Sequence, residues 1–219
     1  MAQPSLVMRE EGLTLVGEGL ELRGDFTRML PRLKKGRLSK ELLVRAARIK
    51  GVAEPMAVDA TAGLGEDSLL LAAAGFFVTM FERDATIAAL LRDALARAAQ
   101  IDELAGIVDR MRLVEDDSVR GLRELSVCPH VVFLDPMFPA RHKSAAVKKK
   151  LQLIQAIERP CNNEAELVEA ARSSGPRKVV IKRPAKGPYL AGIKPSYSLA
   201  GKAVRYDVLV NAALCHSDE

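Results

Sequence analysis

The sequence predicts an α/β fold in which a mostly parallel sheet follows a small β-rich segment. From Met56 onward, short apolar runs alternate with amphipathic stretches, which is the pattern of repeated β–α–β units. The run Val131–Leu134 is apolar at every position, as expected of a strand covered on both faces. A glycine-rich turn at residues 58–67 joins the first of these strands to a helix. These features favour a parallel sheet with a ligand site at its carboxyl edge.

The length of 219 residues is sufficient for one main domain with a small appendage. Residues 5–30 contain brief apolar stretches between glycines, so residues 1–35 are predicted to form a β-rich N-terminal appendage. Residues 36–219 are predicted to form the main domain. A helix is expected from Ser39, as its N-cap, to Ile49.

The main domain has predicted strands and helices in alternation. The strands are expected at Met56–Asp59, Phe76–Phe81, Met111–Val114, His130–Leu134, Lys178–Ile181 and Val204–Val210. The helices are expected at Asp67–Ala74, Ala85–Ala99, Val119–Leu125, Ala145–Ile157 and Glu164–Ser173. Residues 184–198 contain three prolines and two glycines and are predicted to form a long loop.

The charge is modest in total and uneven along the chain. The formal net charge is +5, but residues 28–50 contain nine basic residues and one acid, and residues 141–150 contain five basic residues and no acid. Residues 59–135 are acidic, with fourteen acids and seven arginines. Basic patches beside an acidic centre indicate a polyanionic partner, although solvated lysine and arginine faces explain the pattern equally well.

The composition excludes several classes of protein. An aromatic fraction of 4% without Trp argues against a platform that stacks many nucleic-acid bases. The three cysteines are too few for a disulfide framework, and no Cys/His cluster offers a metal site. The first 25 residues are too charged for a secretory leader, and no apolar run reaches the length of a membrane span. A cytoplasmic protein without metal or membrane contact is expected.

The segment VDATAGLGED, residues 58–67, predicts a cofactor site. Asp59 ends a strand, and Gly63 and Gly65 allow a ligand to approach the backbone before the helix begins. Asp59, Gly63 and Gly65 are therefore candidate cofactor-binding residues. A dinucleotide turn would have a third glycine where Ser68 stands, so the pattern fits S-adenosylmethionine (SAM) better than NAD.

Two acidic positions after the next strands fit a nucleoside cofactor. Glu82 follows Asp59 by 23 residues, near the spacing at which a carboxylate accepts hydrogen bonds from ribose hydroxyls. The segment EDDS, Glu115–Ser118, follows the third strand, where adenine is usually contacted. An equally good interpretation is that Ser118 is the N-cap of the next helix.

The segment DPMFP, residues 135–139, directly follows the buried fourth strand. It is a variant of the loop with which methyltransferases bind exocyclic amines of nucleobases. The lone pair of such an amine is delocalised into the ring, so a carboxylate that accepts one of its hydrogens can orient it toward the methyl donor. Asp135 is the candidate catalytic residue for this role, and Phe138 is the candidate for stacking on the base.

Four segments, VDATAGLGED, FERDATIAALLRDALARA, VVFLDPMFPARHKSAAVKK and VVIKRP, resemble the RsmJ family of small-subunit ribosomal RNA guanine-N2 methyltransferases. The resemblance runs from about Leu6 to Val210. It implies a Rossmann-like SAM-dependent methyltransferase with a mostly parallel seven-stranded sheet, which methylates a guanine N2 amine in 16S ribosomal RNA. The partner is then small-subunit ribosomal RNA or the small ribosomal subunit.

The resemblance also implies site residues. The family's cofactor contacts fall on Glu66, Asp67, Glu82, Arg83, Asp117, Ser118 and Asp135. This chain departs from the family at Glu66, where arginine is usual, and at Asp117, where serine is usual. The candidate RNA-binding residues are Arg141, Lys143, Lys148, Lys149, Lys182 and Arg183.

Other functions share parts of this pattern. An amine methyltransferase acting on DNA adenine or protein glutamine would use the same loop at Asp135. A nicotinamide-dependent oxidoreductase would use the same fold, and a non-catalytic RNA-binding assembly factor would keep the basic patches without needing Asp135. Binding of SAM and methyl transfer to RNA discriminate among these alternatives.

Overall fold

A seven-stranded sheet lies at the centre of the computed structural model, which describes residues 4–17, 19–136 and 163–211. The strands are β1 (Ser5–Arg9), β2 (Gly12–Gly17), β3 (Leu20–Leu22), β4 (Met56–Asp59), β5 (Phe77–Phe81), β6 (Met111–Val114), β7 (Val131–Leu134), β8 (Lys178–Pro184), β9 (Tyr197–Ala200) and β10 (Val204–Val210). The helices are α1 (Leu30–Leu33), α2 (Lys35–Leu38), α3 (Leu42–Ala47), α4 (Glu66–Ala73), α5 (Ala85–Ala98), α6 (Asp102–Val108), α7 (Ser118–Arg123) and α8 (Glu164–Ser173). Asp25 caps a short 3-10 turn at Phe26–Met29.

The strand order of the central sheet is β6-β5-β4-β7-β8-β10-β9. Strands β4 to β8 pair in parallel, whereas β10 runs antiparallel between β8 and β9. The predicted mostly parallel seven-stranded sheet is confirmed. The chain reverses at β4, since β5 and β7 lie on its two sides, so the carboxyl end of β4 opens onto the switch point where ligands bind in such sheets.

Both faces of the sheet are buried, which explains the continuous apolar run in β7. Phe133 points into one core with helices α3 and α4, whereas Val132 and Leu134 point into the other with helices α7 and α8. All four residues of this strand are buried. A strand that is buried on both faces needs apolar residues at every position. This packing on both sides fixes the position of the end of β7.

The β-rich N-terminal segment predicted from the glycine pattern is confirmed as the antiparallel sheet β1-β2-β3. It packs on helix α5 through a small core in which Leu15 and Leu22 contact Ile87 and Leu90. The chain then crosses to the main core, which Phe26 and Met29 join. The boundary at residue 35 stays a prediction.

Three local predictions differ from the structure. Ser39 does not begin a helix, because it ends α2, and α3 starts only at Leu42 with Glu41 as its N-cap residue. Helix α6 was missed, since its only buried residues are Leu104 and Val108 and its apolar signal is short. The predicted loop at residues 184–198 runs into an edge strand, β9, which is mostly exposed.

Three further sequence expectations concern membrane spans, the cysteines and the helix predicted after β7. No described helix is long and apolar enough to cross a membrane. Cys128 is disulfide-bonded, while Cys161 and Cys215 lie outside the described residues. The predicted helix Ala145–Ile157 lies outside them too.

Arg205, in β10, holds the chain that follows β8. Its Nη1 donates to three carbonyl oxygens, those of Pro184 at 2.9 Å, Ala185 at 3.1 Å and Gly187 at 2.8 Å. Its Nε bonds the buried Asp207 carboxylate at 2.9 Å. One guanidinium therefore satisfies both a buried charge and the carbonyls of a tight turn at the carboxyl edge of the sheet.

We expect Arg205→Met to destabilise the fold strongly, because Asp207 would keep a buried charge without its partner. Removing one member of a buried ion pair typically costs about 3 to 5 kcal/mol. The free energy of unfolding in urea measures this loss. The exposed Arg112→Met provides the control, and a loss as small as in that control would show that the turn does not depend on Arg205.

Candidate active site

The turn between β4 and α4 has two glycines in left-handed conformations. Gly63 has a φ of 53° and Gly65 a φ of 77°. A Cβ on Gly65 would lie 2.7 Å from a methyl carbon of Leu91, so the turn packs closely on helix α5 at this point. A Cβ on Gly63 would meet no described atom within 4 Å, so the backbone there faces open space. A ligand can therefore approach the turn at Gly63, as the sequence predicted.

Asp59 lies beneath this turn and is 1% exposed. Its carboxylate accepts from the Thr61 backbone N–H at 3.0 Å and from the Ser68 hydroxyl at 2.6 Å. Burial raises the pKa of Asp59 to about 7. Asp59 thus holds the two ends of the turn together from inside, and its predicted contact with the cofactor stays a prediction.

Glu82 connects the turns that follow β4, β5 and β6. Its two carboxylate oxygens accept from the backbone N–H groups of Gly63 at 3.0 Å and Asp84 at 2.9 Å. Its own backbone bonds Val114 and Asp116 in the turn after β6. Each oxygen keeps one lone-pair site beyond these contacts. Burial raises the pKa of Glu82, which is 6% exposed.

The turn after β6 lies next to Glu82 and forms a second wall of the candidate site. Asp117 caps helix α7 by accepting from the N–H groups of Val119 at 2.9 Å and Arg120 at 3.3 Å. Asp117 therefore has the capping role that was predicted for Ser118, since its carboxylate reaches the free N–H groups of the first turn. A long ion pair of 3.9 Å joins Asp117 to Arg83, and both side chains are about half exposed.

Asp135 stands at the carboxyl end of β7, beside the glycine turn. Its backbone N–H donates to the Thr61 hydroxyl at 2.7 Å. Its carboxylate lies 2.9 Å from the Lys182 ammonium, which also bonds Asp67 at 2.6 Å. Burial disfavours the charged ammonium, but the carboxylates of Asp67 and Asp135 outweigh this effect and raise the pKa of Lys182.

Lys182 and Arg183, two of the predicted RNA contacts, are bonded within the protein, and their contact with phosphates stays a prediction. Lys182 is engaged by two carboxylates, and the Arg183 side chain is only 1% exposed, with Nε donating to the Pro188 carbonyl. The other predicted RNA contacts, Arg141, Lys143, Lys148 and Lys149, lie outside the described residues, as does Phe138.

The ion pairs of Lys182 were missed at the sequence level. The available signal was a lysine directly after the apolar run Val179–Ile181, where a strand leaves the core. Glu66, in contrast, is exposed at the start of α4. Among the residues that the structure describes, no group of three or more His, Cys, Asp or Glu side chains could hold a metal ion.

The arrangement fits a nucleoside-bearing cofactor. An open backbone at Gly63 stands beside a carboxylate, Glu82, which is already oriented by two N–H donors. Such a carboxylate can accept hydrogen bonds from paired ribose hydroxyls without a further loss of side-chain entropy. The residues present therefore match what SAM needs at its ribose.

The raised pKa of Asp59 makes stability depend on pH. Because this pKa is about 7 in the folded protein and near 3.8 for an ordinary aspartate, the folded state binds more protons between these values. The contribution of Asp59 to stability is therefore fully present below about pH 4 and declines as the pH rises to 7, by up to about 1.4 kcal/mol per pH unit. We expect Asp59→Asn to flatten this decline.

Urea unfolding at several pH values between about 4.5 and 7.5 measures the effect. Asp109→Asn, at an exposed position, is the matched control. The same decline in the Asp59 variant and in the unaltered protein would contradict the assignment.

Known proteins resemble the chain over nearly its whole length. Residues 2–211 match the SAM_MT family model of SAM-dependent methyltransferases. The chain is similar to proteins named ribosomal RNA small subunit methyltransferase J. It is 40% identical to one from Chromohalobacter salexigens, and the match covers 95% of this chain and 86% of that protein. It is also 40% identical to one from Pseudomonas aeruginosa strain UCBPP-PA14, and that match covers 97% of this chain and 84% of that protein.

A solved structure shows the same architecture. The crystal structure of a SAM-dependent methyltransferase from Neisseria gonorrhoeae has a TM-score of 0.76 and 30% identity to this chain. The match covers 98% of this chain and 84% of that one. The expected Rossmann-like methyltransferase fold is thus confirmed, and so is SAM as the cofactor. The chain belongs to the family of SAM-dependent methyltransferases that includes the ribosomal RNA small subunit methyltransferase J proteins.

Proposed function

We propose that this enzyme transfers the methyl group of SAM to the exocyclic N2 amine of a guanine in 16S ribosomal RNA, in the bacterial cytoplasm. The observation that carries the proposal is the hydrogen bond between the Asp135 backbone and Thr61 at 2.7 Å. It fixes an amine-binding carboxylate against the turn that receives the cofactor. The names of the relatives supply the RNA class, since they refer to the small ribosomal subunit.

The walls of the site suggest how the cofactor is held. Glu82 accepts from the ribose hydroxyls through the lone pairs that its backbone contacts leave. Gly63 and Gly65 form the floor beside it. The segment Asp117–Ser118 starts helix α7 next to Glu82 and is suited to contact the adenine. SAM supplies an activated methyl group on its sulfonium.

Asp135 positions the guanine amine. The nitrogen lone pair is a weak nucleophile while it is delocalised into the ring, so the amine must be turned toward the methyl group. The Asp135 carboxylate accepts one amine hydrogen and thereby fixes this orientation. Lys182 holds the carboxylate in place at 2.9 Å, and its second carboxylate partner, Asp67, fixes the ammonium in turn.

The function is tested by mass spectrometry of small-subunit ribosomal RNA from cells with and without the gene. We expect one methylated guanine to be lost when the gene is deleted and restored when it is returned. The purified protein should also place a labelled methyl group from SAM on this RNA. Methylation of DNA or protein instead, with the RNA unchanged, would overturn the proposal.

We expect Glu82→Gln to weaken SAM binding at least tenfold. Loss of a charged acceptor for two ribose hydroxyls costs about 1.5 to 3 kcal/mol, and each tenfold change in affinity corresponds to about 1.4 kcal/mol. Isothermal titration calorimetry measures the dissociation constant. Glu103→Gln, on the exposed side of α6, is the control. Unchanged affinity in a folded Glu82 variant would exclude the ribose contact.

We expect Asp135→Ala to lower the rate of methyl transfer by about 10² or more, as when an oriented contact to the transition state is deleted. The measurement is a single turnover at saturating SAM and RNA, so that binding losses do not enter. Asp135→Asn retains one acceptor oxygen and should be less impaired. A near-normal rate in the alanine variant would show that Asp135 does not orient the amine.

A further inference from the structure

Residues 34–40, called here the basic segment, carry positive charge on an anchored piece of chain. Lys34, Lys35, Arg37 and Lys40 are all exposed, and the segment contains no acid. Leu38 packs against the main core and anchors the segment. Within the described part of the chain, these four side chains form no salt bridge. Four exposed and uncompensated charges on an anchored segment are available to a ligand.

An ion pair fixes both ends of the basic segment. Arg32 precedes it and Glu41 follows it, and the two side chains form a bidentate pair with both N–O distances at 2.8 Å. Because Glu41 is the only acid between residues 28 and 50, the pair uses the one local carboxylate to close the loop. The remaining charges keep their attraction for an external anion.

The basic segment stands at the carboxyl edge of the sheet. Helix α3 begins at Leu42, directly after the segment, and a Cβ on Gly201 would lie 2.8 Å from a Leu42 methyl carbon. Gly201 follows β9, and its N–H bonds the carbonyl of Val204 at the start of β10. In the sheet, Val204 pairs with Pro184 at the end of β8. The same helix ends at the opposite edge, where the Lys178 ammonium bonds the Ala46 carbonyl.

The basic segment is also connected electrostatically to the site. The pKa of Arg32 is raised first by its hydrogen bonds to Glu41 and further by the nearby Asp67 carboxylate. Asp67 bonds Lys182, which bonds Asp135. Arg32, which precedes the basic segment, therefore interacts electrostatically with Asp67, and the ion pairs of Lys182 connect Asp67 to Asp135.

We propose that the basic segment binds the phosphate backbone of the RNA whose base enters the site beside Asp135. The inference rests on the proposed function, since it takes RNA as the substrate. Phosphates several nucleotides from a bound base lie within reach of a surface next to the site, and exposed lysines bind them as point charges. Contacts of this kind give affinity and orientation without base specificity.

The test compares three quadruple variants. The neutral variant contains Lys34→Ser, Lys35→Ser, Arg37→Ser and Lys40→Ser. The charge-retaining variant contains Lys34→Arg, Lys35→Arg, Arg37→Lys and Lys40→Arg. The third variant removes four exposed basic residues at or near the amino edge of the sheet, through Arg48→Ser, Lys50→Ser, Arg110→Ser and Arg112→Ser, and so matches the net charge of the neutral variant.

The probe is small-subunit ribosomal RNA transcribed in vitro, with binding measured at several salt concentrations. We expect the neutral variant to bind at least tenfold more weakly at ~100 mM salt and to have a flatter slope of log affinity against log salt. The slope should fall by about 1.4 to 2.8, at about 0.7 for each of two to four lost contacts with single-stranded RNA. KM for RNA should rise with the dissociation constant, while kcat at saturating RNA and SAM affinity stay unchanged.

The charge-retaining variant should bind nearly as the unaltered protein does, and the amino-edge variant should lose less than about threefold in affinity. Equal losses in the neutral and amino-edge variants would overturn the proposal, because net charge alone would then explain them. Failure of the unaltered protein to bind or methylate this RNA would overturn the proposed function and this inference with it.

Discussion

The Lys182 ammonium holds together the parts of the molecule that meet at the carboxyl edge. It bonds Asp67 from helix α4 and Asp135 from the end of β7, while its own strand is β8. Placing an ammonium here costs desolvation energy, and two carboxylates offset that cost. With Arg32 and Glu41 beyond Asp67, the charges alternate in sign from Glu41 in the N-terminal segment to Asp135 at the end of β7. Each charge is held by a neighbour of opposite sign.

The glycine turn after β4 depends on buried carboxylates of a different kind. Asp59 and Glu82 have their oxygens bonded by backbone N–H groups or a hydroxyl, and no basic side chain forms a salt bridge with either among the described residues. Backbone donors fix a carboxylate in one direction without adding a mobile side chain. These bonds order the turn after β4, and such order would reduce the entropic cost of binding a ligand there.

Local patterns in the sequence were sufficient for the parallel strands and for the positions of Asp59, Glu82 and Asp135, because each follows a buried apolar run. They were not sufficient where packing between distant segments decides the outcome. Ser39 has the local features of an N-cap, yet the packing of Leu33 and Leu38 on the core supports a short helix before it. Lys182 looks like part of a basic patch in sequence, and only the approach of Asp67, 115 residues away, makes it an internal ion-pair partner.

The positive charges at the carboxyl edge divide into two groups with different tasks. Arg205 and Arg32 each close a loop, and their guanidinium groups are paired with Asp207 and Glu41. The four basic residues at positions 34–40 are exposed and, within the described chain, carry no salt bridge. An arginine that is bonded on several sides orders the chain around it. Its paired carboxylate largely cancels its charge for a ligand at a distance. The four exposed residues therefore contribute to the attraction that a polyanion would experience at this edge, and the Arg32–Glu41 pair holds their segment in position.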